Sequence, residues 1–211
     1  MKRMTLAVLA ALLMIASTSF AATQAANTNT VAPTLNISAT IQKAVSLTLA
    51  TGTTGGVTHC AVVASGGASD YTMDFGTVDA LGINGGNCNK FNPATPGVTD
   101  AIYWTDYQVT PVFTSHTAVS GTTVTARVTT DFAAPHNIYV VRDTANSSTV
   151  PAGVGSFSAM GTGSADTVGA AGVASGTALT RFIGVAVKPD NGATVLQGAQ
   201  TATVTFTLTV Q

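Results

Sequence analysis

The chain has 211 residues, of which 45% are hydrophobic and 8% charged, with a formal net charge of −1. Globular proteins usually carry ~25% charged residues, and here all nine acidic residues are Asp. This composition excludes a coiled coil, which needs charged heptads, argues against a charged disordered chain, and leaves no basic stripe to meet nucleic acid.

Residues 1–21 have the three parts of a secretory signal peptide. Lys2 and Arg3 form the positive start, residues 6–15 (LAVLAALLMI) the apolar centre, and Ser19-Phe20-Ala21 the small-residue cleavage site. Cleavage is expected after Ala21, with Ala25 as a second site. The apolar run is too short for a membrane span, which takes ~20 residues. No later run approaches that length, and no Cys marks a lipoprotein site. The mature chain is therefore expected to be exported, with no membrane span and no nucleic-acid partner.

Residues 22–43 form an N-terminal extension that carries most of the functional argument. From 31 to 49 the odd positions are Val31, Pro33, Leu35, Ile37, Ala39, Ile41, Lys43, Val45, Leu47 and Leu49, and only Lys43 is charged. Period-two alternation is the signature of a strand with one apolar face. Nineteen residues would extend about 60 Å, whereas typical strands have five or six residues. The economical division is two strands in series with a break near Lys43. Residues 45–49 would join this domain's own sheet, and 31–41 would need another groove for their apolar stripe. That groove lies either in a neighbouring molecule, by strand addition to an open sheet edge, or in the same domain, by folding back. Periodicity alone leaves both open.

Cys60 and Cys88 are the only cysteines. A single pair in an exported chain is expected to form one disulfide, and their spacing fits no zinc or haem pattern. Further strand candidates are 71–75, 107–113, 122–129, 137–142 and 179–187. They are separated by turn signals at Pro96-Gly97, Ser120-Gly121, Pro135-His136-Asn137 and Pro189-Asp190-Asn191-Gly192. Residues 144–178 are rich in Gly, Ala, Ser and Thr and read as a long surface loop with one or two weak strands, with a functional loop as the alternative. The clearest strand is the last. From 201 to 210 even positions are apolar and odd positions are Thr, a β-branched residue suited to a strand's solvent face. Short strands between Gly-rich turns imply an all-β sandwich over 44–211.

The order Cys60, then Asp74-Phe75-Gly76-Thr77-Val78-Asp79, then Cys88 resembles that of spore coat protein U-type domains and archaic chaperone–usher pilins. In that family a Cys near the end of the first strand precedes a short Phe-Gly stretch and a second Cys. An N-terminal donor segment and a Thr/Val-alternating C-terminal strand complete the layout. Leu35-Asn36-Ile37-Ser38 and residues 201–210 match it. The resemblance covers about the first 70 mature residues and the last ten, and 97–180 does not align. It implies an incomplete immunoglobulin-like β-sandwich completed by a neighbour's strand. Val31, Leu35, Ile37, Ala39 and Ile41 would be the donor interface. The implied function is a structural subunit of an extracellular, pilus-like filament at the cell surface. Its partners would be neighbouring subunits, with a periplasmic chaperone and outer-membrane usher as assembly partners.

No motif for catalysis stands out, and neither an enzyme activity nor a cofactor is expected. His59, His116 and His136 sit in no metal-ligand spacing and read as surface or turn residues. Gly-x-Ser-x-Gly is absent, and without Glu a glycosidase pair would need two Asp. Asp74 and Asp79 flank the Phe-Gly stretch and read as turn residues. Trp104, in Ile102-Tyr103-Trp104-Thr105-Asp106-Tyr107, reads either as a core anchor or as a sugar-stacking platform. The platform would make the protein a monomeric exported module that binds carbohydrate, the alternative to the filament subunit.

Overall fold

A computed structural model describes residues 37–39, 44–66, 71–114, 122–190 and 196–210. The expected signal peptide (1–21), Val31, Leu35, Ile41, Lys43 and His116 lie outside these residues. The chain divides into two units, Met1–Thr40 and Ile41–Gln211. Of the first, only residues 37–39 are described. They are exposed and have no regular secondary structure.

The second unit is all-β, with no α-helix among its described residues. One sheet has the order β1 (Val45–Thr51), β5 (Ala101–Phe113), β10 (Leu179–Val187), β7 (Ile138–Asp143), β8 (Phe157–Ala159). β4 (Asn89–Phe91) pairs with the first part of β5, on the edge that β1 occupies further along. The second sheet has three strands, in the order β11 (Thr203–Thr209), β6 (Thr123–Thr130), β9 (Asp166–Gly169). A small ladder joins β2 (Val62–Ala64) to β3 (Tyr71–Met73). Every ladder is antiparallel.

Alternation dictates how the sheets face each other. Tyr107 and Val109 on β5, Ile183 and Val185 on β10, and Val124, Ala126 and Val128 on β6 share one buried cluster between the sheets. β5 is buried on its other face as well. There Ile102 and Trp104 join Phe182, Val141 and Ala186 in a second cluster. Two-sided burial explains why this strand begins six residues before the expected 107. In 101–106 both parities face packed protein, so no polar face marks the period. Trp104 is 5% exposed and lies stacked on Phe91, with Phe157 and Phe182 beside it. The tract 144–178 carries two short strands, β8 and β9, in line with the one or two weak strands expected, and a 3-10 turn, Val154–Ser156. It is not all surface, because its Val154 and Phe157 pack against the Trp104 cluster.

The Cys60–Cys88 disulfide forms, with Cα atoms 5.2 Å apart. It clamps the segment that caps the core at the Ala101 end of β5. Val62, Met73, Phe75, Val78 and Ala80 from this segment pack against the core. The Phe-Gly stretch shapes the cap. Asp74 Oδ1 accepts the Gly76 N–H at 2.8 Å, and the Asn87 N–H donates to the Phe75 carbonyl at 2.9 Å. Gly76 has φ 71°, a left-handed conformation that glycine adopts without strain.

Candidate functional site

The sandwich has two long edges of different construction. Along one, β9 lies over β7 and β10. Arg142 pairs with Asp166 at 2.8 Å, and Arg181 Nε donates to the Val168 carbonyl at 2.6 Å. Val168 is buried. Along the other edge, β1 and β11 are the outermost strands of their sheets. β1 is laddered only to β5, and β11 only to β6, among the described residues. Tyr107 meets Phe206 edge-on, with ring centroids 5.6 Å apart, so β11 lies over β5. No described strand of the second sheet lies beyond β11 to cover β1.

That missing cover is visible in the side chains. Leu47 and Leu49 on β1, and Val204, Phe206 and Leu208 on β11, point to the core and pack against it, yet all five stay only half-buried. Fully covered neighbours such as Val109 and Val124 show no exposure. Among the described residues, neither strand is laddered on its outer side, although β2 reaches β1 at its Thr51 end, where the Val62 N–H donates to Thr51 Oγ1 at 2.9 Å. An edge of this kind can accept an extended segment, its backbone supplying a ladder and its apolar floor receiving every second side chain.

On the outer face of the first sheet, Asp106 is fully buried under the connection between β1 and β2. It accepts hydrogen bonds from the Thr54 N–H at 2.8 Å and from His59 Nδ1 at 2.6 Å. Gly52 permits this, because a Cβ there would overlap the Asp106 carboxylate. Burial alone would raise the carboxyl's pKa, but the bonds from Thr54 and His59 outweigh it and hold it below the ordinary carboxylate value. His59 is therefore tied to a buried carboxylate rather than being the plain surface residue expected. It also lines a cleft of about 300 Å³ with Val63, Thr72, Asp74 and Asn87. Asp79, read as a turn residue, is one. Its carboxylate accepts N–H bonds from Leu81, Ile83 and Asn84, which hold its pKa low against the opposing effect of burial. No group of three or more His, Cys, Asp or Glu side chains suited to a metal occurs among the described residues.

Of the expected donor residues, Ile37 and Ala39 are described, and both are exposed, Ile37 by 86%. The sequence reading expects an open sheet edge but does not say which strands form it; among the described residues the half-buried apolar faces of β1 and β11 mark it. Comparison with protein-family models, curated proteins and solved structures returns no match.

Proposed function

We propose that this protein is a non-enzymatic structural subunit of an extracellular filament. Export delivers it to the cell surface, where subunits join head-to-tail by donor-strand complementation of an incomplete immunoglobulin-like sandwich. The observation that carries this reading is the half-buried apolar lining of the β1–β11 edge. Residues 31–41 have the complementary pattern, an apolar residue or Pro at every second position. Strand donation between copies is a heterologous contact, and such contacts propagate into fibres. The monomeric carbohydrate-binding alternative loses its anchor, because Trp104 is core.

Deleting residues 22–42 tests the reading. The truncated protein should fold but not polymerise, and a free peptide of residues 27–42 should bind it. Each of Leu35, Ile37 and Ile41 would contribute roughly 1.5–3 kcal/mol when buried. Ile37→Asp in the full chain should abolish assembly, because it places an unpaired charge in an apolar slot. Normal filaments from the truncated protein would overturn the reading.

A further inference from the structure

We propose that Leu81, Ile83 and Val98 dock against the Val45 end of a second copy of this chain, beside the inserted strand. The proposal rests on the strand-exchange reading and names a second contact that the exchange imposes.

The two ends of the sandwich can be told apart. β1 starts opposite Phe113 and β11 finishes opposite Thr123, so Val45, Phe113 and Leu208 mark one end of the open edge. β11 starts opposite Thr130 at the other end. The N–H of Val128, two residues before Thr130, donates to the Gly161 carbonyl, and the N–H of Met160 beside it donates to the Val140 carbonyl. Val140 is opposite Val185, and Val185 is opposite Tyr103. This second end is therefore that of Tyr103 and Ala101.

Loop 79–86 sits at the second end. The Tyr103 hydroxyl donates to the Asn84 carbonyl at 3.0 Å and accepts the Asp79 N–H at 3.2 Å. The loop is unusually well held. Beyond the three N–H bonds to Asp79, Lys90 Nζ donates to the carbonyls of Gly82 and Asn84. Yet it turns Leu81 and Ile83 outward, 48% and 75% exposed. Val98, three residues before Ala101, is 71% exposed. Rigid apolar side chains lose little entropy on contact and suit a binding surface.

Direction and tether decide what meets them. Among the described residues the second sheet ends at β11, one strand short of covering β1, so the donor is added to β11. Every described ladder is antiparallel, and a donor antiparallel to β11 enters at the Leu208 end and leaves at the Val204 end, beside loop 79–86. Its own domain begins at Ala44, only Gln42 and Lys43 after Ile41. That tether reaches about 10 Å. The donor's domain must then lie close to Leu81 and Ile83 and present the end from which its chain emerges. That end carries Val45, 59% exposed, and Val112, 42% exposed. Apolar patches thus occur at both ends, as a head-to-tail stack requires.

The test uses the full chain carrying Ile83→Cys and Val45→Cys, polymerised and then oxidised. Cross-linking should convert the polymer into a covalent ladder stable to boiling in detergent, while either substitution alone gives none. In parallel, Leu81→Ser with Ile83→Ser should leave polymer yield unchanged, since neither residue lines the slot, and should shorten the filament's persistence length. A polymer that yields no ladder and keeps its stiffness in the Ser variant overturns this contact alone. If the unsubstituted chain forms no polymer, the strand-exchange reading fails, and this contact fails with it.

Discussion

Two edges of one sandwich receive opposite treatment. On the β9 side, where β8 is the outermost strand of the first sheet, the sheets are joined by the Arg142–Asp166 pair and by Arg181 bonded to the Val168 carbonyl, and the Val168 side chain is buried. At the β1–β11 edge five apolar side chains reach inward and stay half-covered. Charged side chains cross between the sheets on the β9 side, whereas β1 and β11 carry none. The lesson is that an open edge can be identified by incomplete burial of correctly oriented apolar residues, without any unusual sequence at the edge itself.

The comparison can be sharpened by substitution, starting from the fully packed interior. Phe182→Ala, at 2% exposure beside Trp104, should cost about 3–5 kcal/mol in denaturant unfolding. A loss under about 1 kcal/mol would mean that the second cluster is not a true core. Reducing the Cys60–Cys88 bond should cost roughly 3.5 kcal/mol, from the entropy of the loop it closes. Unfolding in the presence and absence of reductant measures this. Asp166→Ala at the sealed edge should cost about 2 kcal/mol, because it strands the Arg142 guanidinium between the sheets. An unchanged midpoint would show that the ion pair does not hold this edge. Leu208→Ala at the open edge should cost the free subunit only about 1 kcal/mol, and more once the 27–42 peptide is bound. Equal costs with and without peptide would count against the slot.

Acid provides a test that involves neither edge. The folded Asp106 carboxyl titrates below its unfolded value. Its contribution is therefore fully present above the unfolded pKa of about 4 and is lost as pH falls through the lower folded value. Stability measured against pH should fall in that acidic window, and Asp106→Asn should flatten the fall.

How much of this was legible beforehand depended on one-sided burial. β10 runs over 179–187, the range expected, and the last strand falls within 201–210. Residues 45–49 begin β1 as expected. β5 was half missed because 101–106 is packed on both faces. β2 and β4 have three residues each, too few for a period to register, and β8 and β9, with three and four, were legible only as one or two weak strands somewhere in 144–178. Nothing in the sequence around Asp106 points to a buried carboxylate. Only the folded chain brings Thr54 and His59 to it. Cys60 and Cys88 were readable as a pair from number and context, and Asp74 and Asp79 as turn residues from their position. Which strands form the open edge was not readable, since that is a relation between strands at opposite ends of the chain.

The separation of those two strands has a kinetic consequence. β11 pairs with a strand about 80 residues upstream, and β1 with one about 60 residues downstream. Contacts this distant form slowly, because loop closure must come before any gain from pairing. In a chain made from its N-terminus, the second sheet gains its outer strand only after residue 209 has emerged. The β1–β11 edge is thus the last part of the domain to exist, whereas residues 31–41 are among the first available. Under the proposed strand exchange, each copy would be able to give a strand before it could take one.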